Sequence, residues 1–326
     1  MHYVIGDVHG CFDEMMDLLT TIEKKDNDAQ FIFVGDLIDR GPKVWETLDW
    51  AMENITSDGK YQSVMGNHEA LAIEWYEEFL AWWNGHLTGD ATELMPETHY
   101  DFSKVMDAKN MLKPDRLKPI IEFFESFPYS KAVEVETIYQ KKMLYRIVHA
   151  AYNYHTEDEE TQRTSNLWDR NYWGYTGNSS NNEIVIHGHT PTISDSYLLR
   201  GSGQDAPGMI AYRENAINID GGCCYLDRWW NAPCMLCAIC LETLEEIYAS
   251  TIEERFVKAY ENDADIKTEE REAMKLYCKE KAKEYCTQYR EKETTARQRM
   301  LIKIGKTVKE KDVNGRISEG EKSESI

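Results

Sequence analysis

An α/β fold is predicted for residues 1 to 250 by three features of the sequence. Strand-like and helix-like stretches alternate over residues 1 to 70, short apolar strands take over after residue 130, and Asp, His and Asn recur directly behind the strands. The first strand and turn are "HYVIGDVHG", followed by "CFDEMMDLLTTIEKK", an amphipathic helix with Phe12, Met15, Met16, Leu18 and Leu19 inward. "AQFIFVGDLIDRGP" repeats the strand and turn, "KVWETLDWAMENI" the helix, and "YQSVMGNHE" runs as a third strand into "ALAIEWYEEFLAWW". That rhythm predicts a parallel sheet with crossover helices.

Residues 85 to 130 read as mostly helical and polar, closed by "PDRLKPIIEFFESFPY". "KAVEVETIYQKKMLYRIVHAA" then reads as a hairpin, and "NEIVIHGHTP", "MIAYRENAINIDGG" and "CMLCAICLETLEEIYA" as further strands. Residues 251 to 326 form a separate charged extension of long helices, with a polar end, "KEKDVNGRISEGEKSESI", expected to be disordered. Ile252, Phe256, Val257 and Tyr260 recur at helical spacing, so the first tail helix is expected to rest on the body.

The length of 326 residues suffices for one large domain or two modest ones. A formal net charge of -21 argues against broad binding to nucleic acid or an anionic membrane, and residues 1 to 250 carry all of it, the remainder of the chain being close to neutral. No run of about 18 apolar residues suggests a membrane span. The strand-like run begins at the N-terminus, which leaves no space for a signal peptide and sets the expectation of a cytoplasmic protein. The eight cysteines do not form the pattern of a small disulfide scaffold. Cys234, Cys237 and Cys240 invite a metal reading, yet in a strand their spacing sends Cys237 to the face opposite the other two, so they are read as core thiols.

Functional groups in a parallel α/β sheet collect at the carboxyl ends of strands. Five such ends carry ligand-type residues: Asp7 and His9; Asp36 with Asp39 and Arg40; Asn67, His68 and Glu69; His149; and His187 with His189. Singly, each has an ordinary explanation as a cap, a turn residue or a satisfied polar group. Jointly they do not, because carboxylates and imidazoles gathered at one sheet edge repel or stay desolvated without a cation. Mixed Asp, His and Asn ligands suit Mn, Fe or Zn.

"GDVHG", "GDLIDRG", "GNHE", "VHA" and "GHTP", in that order, resemble the phosphoprotein-phosphatase branch of the calcineurin-like metallophosphoesterases, in particular its compact bacterial and phage serine/threonine phosphatases. "WNG", "FFESFPY" and "INIDGG" add to the likeness, which covers residues 1 to 250. It implies a two-sheet β-sandwich flanked by helices, with the five motif turns meeting at one edge. It also implies two divalent metal ions, Mn²⁺ foremost with Fe or Zn as alternatives. Asp7 and His9 would hold the first ion, Asp36 would bridge, and Asn67, His149 and His189 would complete the second; His187 would at most support them. Pro191 stands where many wider superfamily members carry a further histidine.

Such a pair of cations, about 3.5 to 4 Å apart, clamps the attacking and leaving oxygens of an in-line displacement and lowers the pKa of a water between them. His68 would protonate the leaving alkoxide, Asp39 would orient His68, and Arg40 and Arg170 would hold the phosphate oxygens. The substrate reading this favours is a phosphoprotein or small phosphate ester. A symmetrical bis(5'-nucleosyl)-tetraphosphatase is the second reading, against which Asp39 and Glu69 weigh, since that sister group tends to lack the first and to show Asp at the second. A non-catalytic interaction protein is the third. The basic excess between Arg271 and Glu310 could dock on the acidic body or bind a partner that the sequence does not identify. With every ligand before residue 250, truncation there is expected to spare the catalytic core.

Overall fold

A computed structural model describes residues 1–94, 101–170, 182–193, 207–213, 215–226, 232–261, 271–290 and 295–307. The chain opens with strand β1 (His2–Ile5), helix α1 (Phe12–Lys25), β2 (Gln30–Phe33), α2 (Val44–Asn54), β3 (Tyr61–Ser63) and α3 (Asn67–Trp83). Pairing of β1 with β2 and of β2 with β3 is parallel, as the alternation predicts. Two helices, α4 (Phe102–Ala108) and α5 (Pro114–Glu125), lead into the hairpin of β4 (Ser130–Glu136) and β5 (Lys142–Val148). Then come α6 (Glu159–Trp168), β6 (Glu183–His187), β7 (Ala211–Tyr212), β8 (Ala216–Asn218), β9 (Cys237–Cys240) and β10 (Glu246–Tyr248). The described tail consists of α7 (Ile252–Glu261), α8 (Arg271–Tyr285) and α9 (Thr295–Lys303). The disorder expected of the polar end falls on residues outside those described.

The strands form two five-stranded sheets, in the orders β10-β9-β1-β2-β3 and β4-β5-β6-β8-β7. The first sheet is mixed, because β9 runs antiparallel to β1. Alternation along its strands sorts the core into two layers. Tyr3, Ile5, Phe31 and Phe33 meet the side chains of α1, α2 and α3, whereas Val4, Ile32 and Val34 face Val133, Tyr145, Ile147, Ile184, Ile186 and Ile217 of the second sheet. β1 is buried on both faces, so it reads as an uninterrupted apolar run. Two mixed five-stranded sheets flanked by helices make the sandwich that the resemblance implies.

The same alternation settles two of the cysteines. Cys237 lies in the layer between the sheets and Cys240 in the helix-side layer, while Cys234 sits before β9 in a left-handed turn. Among the described residues, no helix is long and apolar enough to cross a membrane.

Packing is continuous across residue 250. Phe256 of α7, Cys278 and Tyr285 of α8, and Met300, Leu301 and Ile304 at α9 are buried and continue the apolar cluster that fills the layer between the sheets. The α9 segment is also bonded to the strand ends. Thr137 Oγ1 donates to the Ile304 carbonyl at 2.9 Å, and Lys303 Nζ to the Glu183 carbonyl at 2.7 Å. These contacts lie at the β4–β5 turn and the start of β6, the end of the sandwich opposite the turns described next.

Candidate metal centre

The parallel strands β1, β2 and β3, with β5 and β6, all end at one edge, and their turns are bonded to one another. His9 N–H donates to the Asp36 carbonyl at 2.8 Å, joining the first turn to the second. The second is held to the third by Glu69, whose carboxylate accepts from Asp36 N–H at 2.9 Å, Leu37 N–H at 2.8 Å and Gly66 N–H at 3.1 Å. Gly188 N–H donates to the His149 carbonyl at 2.9 Å, and His189 N–H to Asp7 Oδ2 at 3.0 Å. A Cβ at Gly188 would collide with Asp7 Oδ1, which is why that position needs glycine.

This meshwork holds the backbone in an unusual state. His9, Asp36, Asp39, Arg40 and His189 all have φ between +46° and +69°, a region that side chains with a Cβ enter at some energetic cost. Five predicted site residues share that strain, which is offset by the turn-to-turn bonds around them.

The six predicted ligands converge and are buried: Asp7, His9, Asp36, Asn67, His149 and His189 are each 0–6 % exposed. Ligand-type atoms fall into two overlapping groups, His9–Asp36–His68 and Asp7–Asp36–His149, each within 4.8 Å, and Asp36 belongs to both. Asp7 shares its group with Asp36 and His149, and its Oδ2 accepts from the His189 N–H.

His149 Nδ1 faces the Val34 carbonyl at 2.9 Å and His9 Nδ1 the Ile38 carbonyl at 2.8 Å, so each ring keeps its proton there and turns the Nε2 lone pair inward. His149 Nε2, Asn67 Oδ1 and His189 Nδ1 form a triangle with edges of 2.8, 3.0 and 3.1 Å. Edges of about 3 Å are what oxygen or nitrogen ligands roughly 2.1 Å from one cation make at right angles. Asp7 Oδ1 and His189 Nε2 are buried without a hydrogen-bond partner. Burial, then the Asp220 and Asp36 charges, pushes Asp7 well above the usual carboxylate range, and burial pushes His149 down to about 4. Asp7, which resists ionising, beside His149, which resists protonation, describes a site short of positive charge. Against burial, the imidazoles around Asp36 hold that shared carboxylate well below the usual range, and two divalent cations fit this set.

The remaining machinery borders this centre. His68 Nδ1 lies 2.6 Å from Asp39 Oδ2, and Arg40 reaches His68 Nε2 at 2.8 Å and His9 Nε2 at 2.6 Å. His68 lies in the first turn of α3, and its N–H donates to Asp36 Oδ1 at 3.0 Å, so the helix N-terminus faces the shared carboxylate. Burial lowers His68 to about 4 and raises Asp39 to about 8, which leaves one proton between them. Arg170 is exposed and reaches Thr190 Oγ1 at 3.2 Å, beside the His189 turn. His187 is buried, with Nδ1 3.1 Å from the Gly188 carbonyl.

Sequence reasoning missed Asp220, which is 3 % exposed and whose charge acts on Asp7. Burial raises it to about 6. Its signal was an aspartate directly behind the strand of "INIDGG", the same pattern that flagged the other turns. Also missed was Tyr225, whose ring lies 5.4 Å from the Arg40 guanidinium. A third group of ligand types, Cys11, Glu14 and Cys223, lies apart from the centre, and its positive charge is supplied by Arg255 and Lys258.

A profile of the calcineurin-like phosphoesterases matches residues 3–217. The chain belongs to that family. A stretch of the chain is similar to enzymes named symmetrical bis(5'-nucleosyl)-tetraphosphatase: 45 % identical over 67 residues in Psychromonas ingrahamii, and 41 % over 75 residues in Buchnera aphidicola. These matches take in 21 % and 23 % of this chain and only 23 % and 26 % of the relatives' own length. A metallophosphoesterase from Sphaerobacter thermophilus superposes with a TM-score of 0.44 at 14 % identity, covering 86 % of this chain and 98 % of that one. For a protein serine/threonine phosphatase from Saccharomyces cerevisiae the TM-score is 0.40 at 13 % identity, with 67 % and 66 % covered.

Proposed function

We propose that this phosphoesterase is a phosphomonoesterase acting on phosphoserine or phosphothreonine in proteins, or on small phosphate esters, in the cytoplasm. The observation that carries the reading is the 2.6 Å contact of His68 Nδ1 with the buried Asp39. An alkoxide is a poor leaving group and needs a positioned acid, whereas a nucleoside diphosphate leaves readily without one. Asp39 fixes the proton on Nδ1 and sets the ring plane, so that Nε2 faces the scissile oxygen.

Asp7, His9 and Asp36 would hold one cation and Asp36, Asn67, His149 and His189 the other, Mn²⁺ before Fe or Zn. When bound, the pair supplies an activated water and neutralises the phosphoryl charge. Neutral Asn67 ligates without adding a negative charge that would repel a phosphate. Arg40 caps the lone pairs of His9 and His68, and on substrate binding its planar fork turns to the phosphoryl oxygens, releasing His68 Nε2 to carry the proton. Arg170 grips the same phosphate from the side of the His189 turn.

The tetraphosphatase reading draws support from the names of the relatives that match part of the chain. Turnover of a phosphopeptide, p-nitrophenyl phosphate and diadenosine tetraphosphate, each with Mn²⁺, separates the two. Preference for the dinucleotide by kcat/KM would overturn the phosphomonoesterase proposal.

A further inference from the structure

Arg255, in the first helix of the tail, is the one arginine among the described residues that is almost wholly enclosed, at 1 % exposure. Nε donates to the Pro233 carbonyl at 3.0 Å, and one terminal nitrogen to the carbonyls of Cys223, at 3.1 Å, and Cys234. The other pairs with Glu14 Oε1 at 2.7 Å. One planar group thus ties together three segments. Glu14 lies in the first turn of α1, five residues beyond His9. Cys223 opens the short helical turn Cys223–Tyr225, three residues after Asp220. Pro233 and Cys234 lead into β9.

The middle segment reaches the metal centre. Asp220 Oδ1 accepts from Gly222 N–H at 2.9 Å, the Asp220 carbonyl accepts from Thr192 N–H at 2.9 Å, and the Tyr225 ring packs against Arg40. A shift of the Cys223 carbonyl therefore moves the face against which the guanidinium of Arg40 rests.

We infer that Arg255 is a positioning residue for substrate binding: it places Tyr225, and through it Arg40, so that the tail contributes to phosphate affinity without touching substrate. The inference rests on the phosphate-binding role proposed for Arg40. Neither lysine nor methionine can replace it, because only a guanidinium fork donates in one plane to several carbonyls and a carboxylate.

The test uses the full chain loaded with Mn²⁺, with p-nitrophenyl phosphate as substrate and inorganic phosphate as competitive inhibitor. Arg255→Lys keeps the charge opposite Glu14 and gives up the planar contacts. It should raise KM and the phosphate inhibition constant together by about 5- to 20-fold, with kcat and bound Mn²⁺ near wild type. Lys258→Met removes the other cation from Glu14 but no bond to the 219–226 loop, and should leave KM unchanged. Folded, metallated R255K with wild-type KM would overturn the inference, as would an equal rise in K258M, which would reduce the effect to helix docking. If R255K does not fold, Glu14→Gln weakens the anchor and leaves the fork in place. A KM rise of about 2- to 5-fold there supports the inference, and an unchanged KM overturns it. Arg40→Ala separates the two levels: no KM rise in R40A refutes the role of Arg40 itself, whereas a rise in R40A without one in R255K refutes only Arg255.

Discussion

His68 is held at both ring nitrogens, by Asp39 on one side and Arg40 on the other, within a shell that leaves it 3 % exposed. Its replacement by Asn should leave metal content nearly intact and lower kcat by roughly 10²- to 10⁴-fold, the usual worth of a positioned acid. The loss should shrink for p-nitrophenolate, which departs without a proton; equal losses on alkyl and aryl esters would remove His68 from that role. Glu69 acts differently. Three buried backbone N–H groups end on its carboxylate, two of them in the Asp36 turn, and burial lifts it to about 8. Glu69→Ala strands those donors and should weaken Mn²⁺ binding by about 10- to 100-fold, as loss of an outer support does. Titrating Mn²⁺ into apo-protein while following activity reads this directly, and wild-type affinity would show that the turn stands without Glu69. The sequence shows why one of these was foreseen and the other only half seen. His68 stands behind a strand next to Asn67, and its chemistry is carried by its own type and place. Glu69 stands out in the sequence only as part of the same motif, because its partners lie 32 and 33 residues upstream and no local pattern states which backbone groups a side chain will face.

At the level of elements, periodicity named nearly every strand and helix before residue 250, because apolar alternation and turn glycines are local properties. The tail was partly legible for the same reason: Phe256 lies on the apolar stripe of α7 and is 1 % exposed. Arg255 beside it was not, since a charged residue in a charged helix reads as a solvated face until its acceptors are known. Those acceptors give α7 a pH dependence. Burial works to raise Glu14, but Lys258 and Arg255 outweigh it and hold the carboxyl below its ordinary 4.5. A depressed carboxylate contributes stability above its unfolded value and loses it as pH falls through the folded one. The Tm difference between wild type and Glu14→Gln should therefore be full above about pH 4.5 and close below it. A gap that widened on acidification would contradict the pairing.

Across the whole molecule, α9 and α7 serve opposite ends of the sandwich. α9 closes the end away from the metal turns, where Met300, Leu301 and Ile304 are 0–4 % exposed and Arg297 Nε meets Glu246 Oε1 at 2.8 Å. α7 reaches the turns themselves through Arg255. The expectation that a cut near residue 250 spares the core treats these as one appendage, whereas the packing divides them. Leu301→Ala should destabilise by about 2–5 kcal/mol, the cost of emptying a closed apolar site, while its distance from the turns leaves kcat and KM within about threefold. A chain cut after Arg290, which lacks α9 and keeps α7, should likewise show a lower Tm with KM unchanged. A chain cut after Ser250 removes Arg255 as well, and should combine the stability loss with the higher KM expected of R255K. Thermal melts and aryl phosphate kinetics on all three, each assayed below its own transition and after its Mn²⁺ content is measured, distinguish the ends. If the chain cut after Arg290 were folded and metallated yet inactive, α9 would be coupled to the catalytic edge through the length of the sandwich, and the division of the tail into a stabilising and a positioning part would fall.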